Sequence, residues 1–137
     1  MATYTSAITT HASAQQVFNA LTRPELVRLW QFGRELTTDW KAGGRISFRT
    51  GTGDDVLEQW GTVLEVQDKA LIKYNLFTPR PDLQDSKENY CVTSYVISDD
   101  HGKTRVELIQ EDNRPNGFVA QTLDRILESL KEVAEAQ

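Results

Sequence analysis

Six aromatic residues stand at positions where a flat apolar body with a polar tip is useful: Trp30, Trp40, Phe48, Trp60, Tyr74 and Tyr90. Taken singly, each of them reads as core packing. As a set they suit the wall of a small apolar pocket, because Tyr and Trp join a hydrophobic ring to one hydrogen-bonding group. Among ionisable groups, Glu58 shares a strand face with Trp60. An inward Glu58 would be a buried carboxylate with a raised pKa, suited to acid or base work. An outward Glu58 is simply solvated, and the solvated reading is the one adopted. Arg49 and His11 are the other groups that an enzyme of this kind would have to turn inward. The single cysteine, Cys91, lies in an alternating apolar segment and reads as a small core residue.

Several chemistries find no support. His11 and His101 have no second histidine or carboxylate at ligand spacing, so neither a metal nor a cofactor is expected. There is no Gly-x-Ser-x-Gly, no phosphate-binding loop and no Gly-x-Gly-x-x-Gly. The net charge of -5 argues against a nucleic-acid partner, which needs a basic surface. A lone cysteine cannot form an internal disulfide, and no apolar run approaches the length of a membrane span, so a cytoplasmic location is the default.

The elements that would position these residues follow from periodicity. The 137 residues suit one domain spanning 1–137. Tyr4 to Thr10 alternates as a strand. Ser13 followed by Gln16 is a capping box, and Val17, Phe18, Ala20 and Leu21 follow at helical spacing. Thr22 is expected to cap a second short helix with Pro24 in its first turn. Five further strands are predicted at 45–50, 56–66, 70–77, 90–98 and 103–111. Gly61 marks a bulge or bend, and Gly102 a hairpin turn. From Phe118 onward the spacing is that of a long helix with one apolar side.

The order β-α-α-β-β-β-β-β-α predicts an α+β domain. Its six-stranded antiparallel sheet curves around the C-terminal helix in a helix-grip arrangement. A helix in a curved sheet leaves a pocket. Strand parity puts Ile72, Tyr74 and Leu76 on one face, and Thr104, Val106, Leu108 and Gln110 on one face. The expected ligand wall is thus Phe118, Thr122 and Ile126 of the helix facing the strands of Tyr74 and Val106.

Specific runs strengthen this reading. They are Ser-Ala-Gln-Gln-Val-Phe-Asn-Ala-Leu-Thr-Arg-Pro-Glu (13–25), Trp30, Asp-Trp-Lys-Ala-Gly-Gly-Arg-Ile-Ser-Phe-Arg (39–49) and Gly-Thr-Val-Leu-Glu-Val (61–66). Together they resemble the SRPBCC (START-like, Bet v 1-like) superfamily over residues 4 to 135. The branch they resemble most is related to the C-terminal domain of the activator of the ninety-kilodalton heat-shock chaperone's ATPase. The turn at Gln67-Asp68-Lys69 departs from that branch, which carries a proline and an arginine there. The polar loop 78–88 departs by its length. Members include lipid and hormone carriers, stress-related ligand binders and polyketide cyclases, so the resemblance implies several functions. The preferred one is binding of a small apolar or amphipathic ligand. A heat-shock chaperone as partner and a cyclase- or hydrolase-type activity are alternatives, and a homodimer is a further possibility for a domain of this size.

Overall fold

The computed structural model describes residues 2–51, 53–112 and 120–137. The predicted pocket residue Phe118 lies outside the described residues. Strands β1 (Ala2–Thr10), β2 (Glu35–Thr37), β3 (Arg45–Thr50), β4 (Leu57–Gln67), β5 (Leu71–Leu76), β6 (Cys91–Asp100) and β7 (Lys103–Asp112) form one sheet. Its order is β1-β7-β6-β5-β4-β3-β2, and every neighbouring pair is antiparallel. Helices α1 (Ala14–Thr22) and α2 (Pro24–Trp30) follow β1, and α3 (Ala120–Glu135) closes the chain.

The sheet has seven strands, one more than expected. The extra strand, β2, is three residues long, too short for alternation to register in the sequence. Only Leu36 faces inward from it. The capping box is present: the Ser13 side chain accepts from the Gln16 N–H at 3.1 Å, and the Gln16 side chain accepts from the Ser13 N–H at 2.8 Å. Thr22, expected to cap α2, instead ends α1 and donates its hydroxyl to the Phe18 carbonyl at 2.7 Å. Arg23 holds the N-cap position of α2 without a side-chain bond, and Pro24 opens the helix.

One face of the sheet is the core. Ile46 and Phe48 of β3, Val63 of β4, Ile72 and Tyr74 of β5, Tyr95 and Ile97 of β6, and Val106 and Leu108 of β7 are buried along it. Leu123, Leu127, Leu130 and Ala134 of α3 recur at helical spacing and are buried in the same cluster. Polar contacts tie α3 to β1 near both of its ends. Thr10 Oγ1 donates to Glu135 Oε2 at 2.5 Å, and Ser6 Oγ donates to Asp124. The β6–β7 hairpin turns through His101 and Gly102, both at positive φ, as a two-residue type I′ loop requires.

Gly61 sits where β4 crosses closest to β5. The Trp60–Phe77 bridge and the Val63–Tyr74 pair share one register with Gly61 and Thr62 between them, and the register shifts once, between Val63 and Glu65. Between the two pairs the Asn75 side chain accepts from the Thr62 N–H at 2.8 Å. The irregularity expected at Gly61 therefore lies two residues on, after Val63.

Candidate functional site

A cavity of about 240 Å³ lies between the inner face of the sheet, the end of α2 and α3. The end of α2 contributes Trp30, and the segment after it Gln31, Phe32 and Arg34. The strands contribute Gln59, Tyr74, Leu76, Cys91, Thr93, Tyr95 and Gln110, while Thr78 follows β5 and Ile126 faces in from α3. Parity explains the strand members. Gln59 pairs with the inward Phe48, Tyr74 with Thr93, Leu76 with Cys91, Tyr95 with Leu108 and Thr93 with Gln110, so all of them share the core face.

The structure brings together three of the predicted pocket residues, Trp30, Tyr74 and Ile126. Trp30 is held by its Nε1–H, which donates to the Ala20 carbonyl at 2.7 Å, and it meets Tyr95 edge-on at 6.1 Å between ring centres. Phe48 and Trp40 stand behind Tyr74, at 5.9 and 6.2 Å between ring centres, and support it from the core. Trp40 also lines a shallow, open depression with Phe18, Thr22, Ala42, Val66 and Asp68. Val106 is fully buried in the core, and Thr122 is half-buried on α3. Neither is among the lining residues.

Trp60 and Tyr90 lie on the opposite face of the sheet. Trp60 pairs with Ser47, out of phase with the inward Phe48, and Tyr90 precedes the inward Cys91. They pack on either side of Phe77, each at 5.5 Å between ring centres. Asp85 accepts from Trp60 Nε1 at 3.1 Å and from the Tyr90 hydroxyl at 2.6 Å. This arrangement pins the polar loop 78–88 to the outside of the sheet. Glu58 has the same outward parity, pairs across from Arg49 and makes an exposed ion pair with Arg45 at 3.4 Å. His11 and Arg49 are exposed.

Two sets of polar groups meet the cavity. In the first, Arg34 Nη1 donates to Gln31 Oε1 at 2.7 Å, Arg34 Nη2 donates to Gln59 Oε1, and Gln59 Nε2 donates to Thr78 Oγ1 at 2.7 Å. The guanidinium also stacks on Phe48, 4.2 Å from its ring centre. In the second, Cys91 Sγ at 2.7 Å and Thr93 Oγ1 at 3.1 Å both donate to Gln110 Oε1. Between them the hydroxyls of Tyr74 and Tyr95 approach each other. Burial pushes the Tyr74 phenol up to about 12 and the Tyr95 phenol well above its ordinary value, against the opposing pull of Arg34. Both stay protonated near neutral pH and serve as hydrogen-bonding groups there. The same burial lowers Arg34.

The described lining contains no carboxylate and no histidine. Its ionisable groups are Arg34, Tyr74, Tyr95 and Cys91. Among the described residues no cluster of three or more His, Cys, Asp or Glu could hold a metal ion, and no helix is long and apolar enough to cross a membrane. This arrangement can enclose a small molecule, shield it from water and orient it by hydrogen bonds.

Sequence reasoning missed most of the polar lining. Parity places Gln110 on the inner face with Val106 and Leu108, and a Gln among such residues is the signal that points to it. The alternation Cys91, Thr93, Tyr95, Ile97 carries a similar signal for β6. Gln31, Phe32 and Arg34 lie in an irregular stretch and gave none.

Comparison with known proteins agrees with the fold. No curated protein matches the chain by sequence. A solved structure from Cytophaga hutchinsonii shares 25% identity, with 99% of this chain and 95% of that chain covered and a TM-score of 0.83. One from Mesorhizobium loti shares 16% identity, with coverage of 99% and 98% and a TM-score of 0.76. The Aha1 dimer from Colwellia psychrerythraea shares 14% identity, with coverage of 98% and 97% and a TM-score of 0.73. The family model described as activator of Hsp90 ATPase homolog 1-like protein matches residues 11–135. With that match spanning nearly the whole helix-grip domain, the chain belongs to the activator of Hsp90 ATPase homolog 1-like family, within the SRPBCC superfamily.

Proposed function

We propose that this protein binds a small amphipathic molecule in the cavity between α3 and the sheet. The observation that supports this reading most is the combination of a 240 Å³ space with an apolar side (Trp30, Leu76, Ile126) and a few convergent polar groups. A space of this size suits one or two rings or a short acyl chain, and burial of apolar area would drive binding at roughly 25 cal/mol per Å².

An environment-sensitive apolar dye is expected to bind with one site per chain. Ile126→Trp, which fills the space from α3, is expected to weaken that binding at least about tenfold while leaving the fold intact. Unchanged dye affinity in Ile126→Trp, as followed by fluorescence titration, would sink the cavity as the binding site.

A second reading, contact with a heat-shock chaperone, draws on the family description and on two exposed apolar side chains, Leu29 and Phe32, at 66% and 84% exposure. Pull-down by the chaperone's middle segment, lost in a Leu29→Ser/Phe32→Ser variant, would favour it.

A further inference from the structure

Arg34 carries a charge that no carboxylate among the described residues neutralises. A guanidinium has five N–H donors. Two of them are used here, on the neutral oxygens of Gln31 and Gln59. No carboxylate lies within ion-pair distance of Arg34 among the described residues, and the residues outside that set include no Asp or Glu. Asp112, the inward carboxylate two positions beyond Gln110, is buried and has an interaction of its own. A half-buried cation is held at a cost unless it meets an opposite charge. Here the cation faces a cavity.

Resting on the cavity reading above, we propose that the ligand carries a carboxylate, or an acid of the same shape, and that Arg34 receives it. The remaining guanidinium donors form a planar fork that matches a carboxylate. Gln31 and Gln59 hold the fork and Phe48 backs its face, so its orientation is set before the ligand arrives. The same lining offers Trp30, Leu76 and Ile126 to an apolar body. The protonated phenols of Tyr74 and Tyr95 add no negative charge to repel an acid. The net charge of -5 does not oppose the pairing at contact range, since surface charges are screened beyond about 8 Å at physiological salt.

The alternative for Arg34 is a purely structural one, bracing the segment after α2 against β4. A matched pair of probes separates the two: naphthoate and its neutral amide, naphthamide, titrated calorimetrically near neutral pH. Naphthoate is expected to bind at least about tenfold more tightly than naphthamide. Arg34→Gln is expected to bring naphthoate down to the level of naphthamide and leave naphthamide unchanged. Arg34→Lys, which keeps the charge and loses the fork, is expected to fall between. Equal affinities in the unaltered protein, or an unchanged ratio in Arg34→Gln, would overturn the assignment while leaving the cavity as a binding site. Failure of both probes to bind would overturn the cavity reading as well. If Arg34→Gln does not fold, the ratio in the unaltered protein and in Arg34→Lys decides the matter.

Discussion

Replacing Gly61 by alanine is expected to lower the unfolding free energy by at least about 3 kcal/mol. A methyl group at Gly61 would lie 1.9 Å from the Asn75 carbonyl oxygen and 2.6 Å from its carbonyl carbon. Both are backbone atoms of β5, so no side-chain rotation relieves the overlap. Moving β5 away would disturb Tyr74 and Leu76, which line the cavity. The requirement at Gly61 is for space, as its φ is not in the left-handed region. Gly43 is the contrasting case, with φ +86° and nothing within 4 Å of an added methyl. Gly43→Ala meets only backbone strain, roughly 1 kcal/mol. Urea denaturation of both variants checks the distinction. A Gly61→Ala cost no larger than that of Gly43→Ala would contradict the close approach of β4 and β5.

The second large effect is alkaline loss of stability through Tyr74. Its phenol is at about 12 in the folded protein against 10.0 when free, and burial is the main cause. The folded state therefore keeps its proton at pH values where the unfolded chain has released it. Stability from this group is complete below pH 10 and is lost as pH rises towards 12. Two pH units correspond to about 3 kcal/mol, with about 1.4 kcal/mol already gone at pH 11. Tyr95 is raised for the same reason and acts in the same direction. In Tyr74→Phe the fall in unfolding free energy between about pH 8 and pH 11 is expected to shrink by about 1.4 kcal/mol. Denaturant titrations at the two pH values measure it. Equal pH dependence in the two proteins would show that Tyr74 is not buried as described.

The fold was legible in the sequence wherever periodicity ran long enough. Five strands between 45 and 112, the capping box at Ser13 and the apolar side of α3 were each marked by alternation, caps or helical spacing. β2 was not, because a three-residue strand completes barely one alternation. The site was legible in part. Parity gave Tyr74, and helix spacing gave Ile126, but aromatic type alone could not tell one sheet face from the other. Trp60 and Tyr90 belong to the outer face because β4 and β6 enter the sheet in registers that put Gln59 and Cys91 inside. Arg34 was invisible for a different reason. Its place depends on where the irregular chain after α2 comes to rest against Phe48 and Gln59, a tertiary outcome with no local pattern.

The proposed ligand-binding cavity lies between α3 and the inner face of the sheet. Amide and side-chain NMR shifts on titration with naphthoate test it most directly. Shifts are expected to concentrate at Trp30, Tyr74, Thr93, Tyr95 and Ile126, with Glu58, Trp60 and Tyr90 on the outer face unmoved. Shifts confined to the outer face, or spread evenly over the surface, would contradict that placement.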